Sequence, residues 1–229
     1  MVLMTSLSIL RKVPLLQFMT DVDLEQLSLS LRVQRLRKKQ ALFRKGDEGT
    51  ALYIIGRGKV KIVLPSKVGE EVILTIFAEG DFLGEMSLLD EKPRSADAVA
   101  MEESEVYVLN RTDFLSFLRE NQNAIKCILS CLSERLRKTD DLLEDACFLS
   151  VSARLAKKLL ELGREFGVKE NKVVRIGLRL TQQDMADLIG TTRESVNKEL
   201  RVLREKGLLS MESGYIRLLD LERLRRRVH

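Results

Sequence analysis

The chain has 229 residues, of which 45% are hydrophobic and 32% charged, and it carries a net charge of +5 at neutral pH. This is the composition of a soluble, well-packed chain, long enough for two domains. No apolar run approaches the ~20 residues of a membrane span. The N-terminus lacks the long apolar core and small-residue cleavage site of a leader. Three cysteines, an odd number, argue against a disulfide framework, so a cytoplasmic protein with no membrane association is expected.

Residues 1–30 read as helical. Leu7, Leu10, Leu15, Leu16 and Phe18 precede a Thr20/Asp21 cap, and Leu24, Leu27 and Leu29 follow it. From about Val33 to Leu109 short β-rich pieces recur, at Ala41–Phe43, Ala51–Ile55, Val60–Leu64, Val72–Phe77, Ala98–Met101 and Glu105–Leu109. Glycine-marked turns separate them at Lys45–Gly49, Gly56–Gly58, Lys67–Gly69 and Glu79–Asp81. Many short strands at regular spacing predict a sandwich, roll or barrel.

The pattern is helical from about Thr112 to about Ala146. Ile125, Leu129, Leu132, Leu136, Thr139, Leu143 and Ala146 are spaced 4-3-4-3-4-3, a heptad seam that wants a partner helix. It reads as a dimer helix, against the plainer alternative of an amphipathic helix packed on its own domain. Thr139 is the one polar residue in the seam, costs stability there, and so invites a second role. Cys127 and Cys131 lie at i, i+4 off the seam and are expected to pack against the β-domain, with Cys147 a buried hinge residue.

A third segment starts near Ser150. Ser152 to Leu162 is amphipathic through Leu155, Leu159, Leu160 and Leu162, and Gly163 and Gly167 are expected to break it. Val173–Ile176 reads as a strand leading into a helix that follows Leu180-Thr181. Gly190 makes a turn, and Thr191 or Thr192 caps a second helix. Ala186, Leu188, Ile189, Val196 and Leu200 face inward, which leaves Arg193, Glu194, Asn197 and Lys198 pointing out. This is a helix-turn-helix, whose second helix reads bases with its N-terminal residues. Arg pairs with a guanine edge and Glu accepts from cytosine N4. Leu208–Glu212, Ser213-Gly214 and Tyr215–Leu218 form a tight hairpin where a winged helix carries its wing. An Arg-rich tail, Leu221 to Val228, closes the chain.

The charge is uneven. Residues 1–149 carry 21 Lys+Arg and 23 Asp+Glu, a net of −2, whereas residues 150–229 carry 18 and 11, a net of +7. A basic C-terminal third is the footprint of a phosphate-backbone binder, and double-stranded DNA is the expected partner. The only histidine is His229, and no Ser/His/Asp or Cys/His set, metal cluster or P-loop is present. A non-enzyme is therefore expected.

The sharpest piece of the β-region runs from Gly80 to Ala96. Gly84 permits close backbone approach, and Glu85 and Ser87 sit by a short apolar turn. Arg94 and Ser95 follow Pro93, which fixes the entering chain. Backbone N–H groups with an Arg and a hydroxyl make a competent pocket for one phosphate, and Glu85 can accept from a sugar hydroxyl. The same residues read equally as an Arg94–Glu85 ion pair bracing the turn.

The chain resembles the Crp/Fnr family of transcription regulators over essentially its whole length. Gly84-Glu85…Arg94-Ser95-Ala96 is similar to that family's phosphate-binding cassette, and Thr192-Arg193-Glu194-Ser195-Val196 is similar to its recognition-helix signature. The resemblance implies an α+β chain in three parts: a cyclic-nucleotide-binding β-roll over 1–120, a dimerisation helix over 121–148 and a winged helix-turn-helix over 149–229. It implies cyclic AMP as the effector. Arg94 would neutralise the cyclic phosphate, Ser95 and backbone N–H groups would complete the cradle, Glu85 would take the ribose 2′-hydroxyl, and Gly84 would let the ligand in. Thr139 falls where the family's dimer helix reaches the adenine amino group. Asp140 stands where the family has Ser, contributed to the partner subunit's ligand, and this opens purine selectivity to either adenine or guanine. Thr181, Thr192, Arg193, Glu194, Asn197 and Lys198 are the implied DNA contacts, with Lys198 replacing the usual Arg. A homodimer through residues 121–148 would set two recognition helices about 34 Å apart on a palindromic operator, and RNA polymerase is the implied further partner.

Within the family, an iron–sulfur sensor would need an N-terminal Cys cluster and a haem sensor a His or Cys in the β-domain. Residues 1–100 hold no Cys, so neither cofactor, nor a metal, is expected. Cyclic GMP, a cyclic dinucleotide, redox control through cysteine and constitutive DNA binding stay open as alternatives.

Overall fold

The computed structural model describes residues 8–17, 19–171 and 173–228; Leu7 and Phe18, expected in the first helical segment, lie outside the described residues. The chain divides into two compact units, Met1–Leu136 and Arg137–His229.

The first unit is built on two four-stranded antiparallel sheets. One has the order β1 (Arg32–Leu36), β8 (Ser104–Asn110), β3 (Ala51–Arg57), β6 (Phe82–Leu83). The other has the order β2 (Ala41–Phe43), β7 (Asp97–Ala100), β4 (Val60–Pro65), β5 (Glu71–Phe77). Side chains alternate across a strand, and β3 uses both faces. Ile55 joins Leu36, Leu83 and Val106 of its own sheet and Val60, Ala98 and Ala100 of the other in one buried cluster. Leu52 and Ile54 point the other way and pack with Leu15, Leu16, Leu24, Phe114 and Phe117 from the helical segments. Each such fully buried side chain contributes about 1.5–3 kcal/mol of transfer free energy.

Those segments are Pro14–Leu16, a 3₁₀ turn, followed by α1 (Asp21–Ser30) and α3 (Arg111–Glu120). A capping box closes the start of α1: Asp23 N donates to Thr20 Oγ1 at 3.3 Å and Thr20 N donates to Asp23 Oδ2 at 3.3 Å. Between them a single-turn helix, α2 (Met86–Asp90), follows β6. The helical stretch expected as one run from Thr112 to Ala146 is two helices. Asn121 leaves helical geometry, with φ −128° and ψ 88°, and separates α3 from α4 (Gln122–Phe148).

On α4, Ala124 and Ile128 are buried in the helix-side core, with Cys127, Cys131 and Leu132 packed against it. The cysteines thus pack as expected, and Leu132 leaves the outward stripe for its own unit. Ile125, Leu129, Leu136 and Leu143 remain exposed, at 42%, 59%, 63% and 65%. An apolar stripe this open on a 27-residue helix is an unburied packing face. Cys147, expected as buried, is exposed, because it sits on the last turn outside the packed face.

In the second unit, α5 (Val151–Glu165) starts at a Ser150 cap. Gly163 does not break it. A Cβ there would lie 2.7 Å from Leu218 Cδ1, so the glycine lets a strand pack close to the helix. A four-stranded sheet follows in the order β11 (Leu209–Glu212), β12 (Tyr215–Leu218), β10 (Val173–Ile176), β9 (Gly167–Glu170). Gly167, also expected as a breaker, does lie just past the end of α5 and begins β9. The helix pair α6 (Gln182–Ile189) and α7 (Arg193–Glu205) and a short α8 (Leu221–Arg225) complete the unit. The Arg-rich tail thus contains a helical turn anchored by buried Leu224. No helix among the described residues is long and apolar enough to cross a membrane.

Candidate functional site

In the first unit the chain from β6 through α2 to β7 carries Gly84, Glu85, Arg94 and Ser95. Arg94 is almost fully buried, as is Glu85. The Gly46-Asp47 turn pins the Arg94 main chain: Arg94 N donates to Asp47 O at 2.8 Å, and Gly46 N donates to Arg94 O at 2.9 Å. Its guanidinium donates from Nη1 to Gly84 O at 2.6 Å and from Nη2 to Ala51 O at 2.7 Å. Nε is buried without a hydrogen-bond partner. Gly84 has φ +89°, and a Cβ on it would meet Arg94 Nη1 at 2.6 Å. The close approach that the glycine allows is therefore, first of all, that of Arg94.

Glu85 does not pair with Arg94. Its Oε1 accepts from Arg135 of α4, whose Nη2 also donates to Phe82 O at 2.7 Å. The Arg135 guanidinium stacks over Phe77 and Phe82, with Cζ 4.8 and 5.2 Å from the ring centroids. Glu85 Oε2 is buried without a partner. A buried acceptor left unpaired costs about 1–3 kcal/mol. Arg94 has no carboxylate within 4.0 Å among the ion pairs of the described residues, and burial pushes its pKa down from the ordinary guanidinium value, with Tyr53, Glu85 and Asp47 opposing the shift. The same turn thus holds a buried cation with no ion-pair partner among the described residues and an unsatisfied acceptor. Ser95, next to Arg94, is exposed. Arg135 escaped the sequence reading; the only sequence hint is its place one helical turn before Thr139.

Thr139 and Asp140 belong to the second unit and are exposed on α4. Cys127 is shielded: burial, then its neighbour Cys131, pushes its thiol up to about 11.

In the second unit the helix pair has the expected form. Thr181 and Asp184 make a capping box: Asp184 N donates to Thr181 Oγ1 at 3.0 Å and Thr181 N donates to Asp184 Oδ2 at 3.0 Å. Gly190, at φ 62°, takes the left-handed turn between the helices. Thr192, not Thr191, is the second cap, accepting from Ser195 N at 3.3 Å. Val196, Leu200 and Leu203 are buried, and Arg193, Glu194 and Lys198 are exposed. Asn197 is half-buried, with Oδ1 enclosed and unpaired, so it points outward less than expected. Glu194 suits the positive end of a helix, whereas Arg193 opposes it. The wing is the β11–β12 hairpin, whose turn residues Ser213 and Gly214 are both left-handed.

A roll with a buried cation–acceptor turn, joined through a long helix to a winged helix-turn-helix, defines a DNA-binding regulator with an effector domain. Residues 33–121 match the cyclic nucleotide-binding domain and residues 153–227 the Crp-like helix-turn-helix domain. The chain is 37% identical over 186 residues to a CRP-like cAMP-activated global transcriptional regulator of Mycobacterium tuberculosis, covering 81% of this chain and 83% of that one. It is 34% identical to a cyclic AMP receptor protein of Thermus thermophilus, covering 87% and 88%. Its fold matches a c-di-GMP responsive global regulator from Xanthomonas campestris with a TM-score of 0.75, at 24% identity, covering 84% and 95%. The chain belongs to the Crp family of transcription regulators.

Proposed function

We propose that the protein is a homodimeric regulator that binds cyclic AMP in the first unit and, in that state, a palindromic operator through the second. The observation that carries this reading is the pairing of buried Arg94, which lacks a carboxylate, with the unpaired Oε2 of Glu85 on the same turn. A cyclic phosphate supplies the missing anion and a ribose 2′-hydroxyl the missing donor, so the residues present fit a cyclic mononucleotide. Gly84, Ser95 and backbone N–H groups of the turn complete the cradle. The family resemblance assigns Thr139 and Asp140 of the dimer helix to base recognition. Names of the M. tuberculosis and T. thermophilus relatives favour cyclic AMP.

The dimer forms through residues 121–148. Its driving force is burial of Ile125, Leu129, Leu136 and Leu143 against the same residues of a second copy. Effector binding acts only through its differential affinity for the DNA-competent arrangement. Arg135 is a built-in link, since it holds the other oxygen of Glu85 from the dimer helix. In each half-site Arg193 reads a guanine and Glu194 a cytosine, Thr181, Thr192 and Asn197 support the contact, and Lys198 acts as a point charge and not a fork. The protein is a cytoplasmic non-enzyme and works with RNA polymerase.

Isothermal titration with cyclic AMP, and with cyclic GMP in parallel, tests the effector assignment. Cyclic AMP binding that Arg94→Ala abolishes supports it. Preference for cyclic GMP moves the assignment to guanine and to Asp140. Binding of neither overturns it.

A further inference from the structure

The way Arg94 is held is unusual for a buried cation. Such groups ordinarily pair with a carboxylate, but neither nearby carboxylate pairs with Arg94: Glu85 Oε1 accepts from Arg135, and Asp47 Oδ2 from the main-chain N–H of Arg44 at 2.7 Å, so both act on it only at longer range. The in-plane donors Nη1 and Nη2 go to two neutral carbonyls. The flat face of the guanidinium lies on rings. Cζ is 4.4 Å from the centroid of Phe43, at the end of β2, and 5.5 Å from that of Tyr53, in β3. The two rings are 5.7 Å apart and tilted by 34°, so they form one continuous aromatic wall.

A carboxylate and an aromatic face both steady a guanidinium, but they leave different charges behind. A carboxylate neutralises it. A ring offers only its quadrupole, fixes the orientation, and leaves the full positive charge for a further anion. We propose that Phe43 and Tyr53 are positioning residues for anion binding, seating the Arg94 guanidinium in place of a carboxylate so that its charge is kept for the phosphate of the effector. This rests on the reading of Arg94 as the phosphate-binding residue. Arg94 is the group that touches the ligand, and the two rings act through it.

The test uses the full-length dimer with Phe43 replaced in turn by mono-, di- and trifluorophenylalanine, which keep nearly the same shape and drain the ring face of negative charge. The first readout needs no ligand. The Arg94 Hε resonance should lie upfield through the ring current and move back in Phe43→Leu; an unmoved resonance overturns the seat. The second is cyclic AMP affinity, which should fall stepwise along the series and by about five- to thirty-fold in total. Phe43→Tyr should retain it. Cyclic AMP binding that stays flat across the series overturns the positioning role and leaves the effector assignment standing. Failure of the unsubstituted protein to bind any cyclic nucleotide overturns the effector assignment, and the positioning role with it.

Discussion

Removing Arg135 should destabilise the first unit through Glu85, fifty residues away in sequence. In Arg135→Met the thioether keeps apolar contact with Phe77 and Phe82, but Glu85 loses the cation at Oε1 while Oε2 already lacks a partner. The Glu85 side chain is 2% exposed and that of Arg135 28%. Breaking a buried pair by removing one partner costs about 3–5 kcal/mol. Water reaches the Arg135 side, so the lower end applies, about 3 kcal/mol. A two-unit chain does not unfold in one step, so the assay is amide hydrogen exchange at Leu52 and Ile54, in the core beneath the pair. Their protection should fall about a hundredfold, at 1.4 kcal/mol per tenfold. Glu85→Gln placed in the same background should recover much of the loss, because a neutral amide is cheaper to bury than a carboxylate. A double-mutant cycle with a coupling energy below about 0.5 kcal/mol would refute the reasoning.

Three further outcomes follow from close contacts and exposure. A Cβ on Gly167 would lie 1.9 Å from the main-chain oxygen of Gly163, whereas one on Gly163 would meet a movable methyl of Leu218 at 2.7 Å. Thermal unfolding of the DNA-binding unit should therefore show Gly167→Ala losing about 2–3 kcal/mol and Gly163→Ala about 1 or less. At pH 8, iodoacetamide should label exposed Cys147 and spare Cys127, whose thiol, raised to about 11, yields little thiolate until the pH approaches that value; mass spectrometry that finds Cys127 labelled first contradicts this. Arg193→Ala should lose about 1–3 kcal/mol of discrimination at one base pair per half-site and keep its salt-sensitive non-specific binding. Equal loss on all duplexes, measured by anisotropy, removes its base-reading role.

What the sequence announced and what it hid divide along physical lines. Ala41–Phe43 was legible to the residue, and Val60–Leu64 and Val72–Phe77 nearly so, because runs of β-branched and apolar residues end at glycine turns. The strand Arg32–Leu36 was not, since only Leu36 of its five residues is buried and the rest carries no alternation. Gly167–Glu170 likewise has no buried residue and exists through its ladder to β10. Glycine as a breaker misled at Gly163, which lies inside the helix where a strand packs close, and held at Gly167, just past the helix end at Glu165. In the helix-turn-helix nearly every local signal agreed, from the caps at Thr181 and Thr192 to the buried Val196 and Leu200. The turn from Gly84 to Ser95 was legible as a set of residue types. Its wiring was not, because Arg135, Phe43 and Tyr53 meet Glu85 and Arg94 only once the sheets and α4 are assembled.

The central claim, that a cyclic nucleotide in the first unit governs DNA binding by the second, is tested most directly by one affinity. A palindromic duplex selected by the protein from a random pool is titrated with the dimer by fluorescence anisotropy, with and without saturating cyclic AMP at fixed salt. Coupling of ordinary size predicts a tightening of about 5- to 150-fold, absent in Arg94→Ala. The same affinity with and without the nucleotide, in a protein that binds it, would contradict the account.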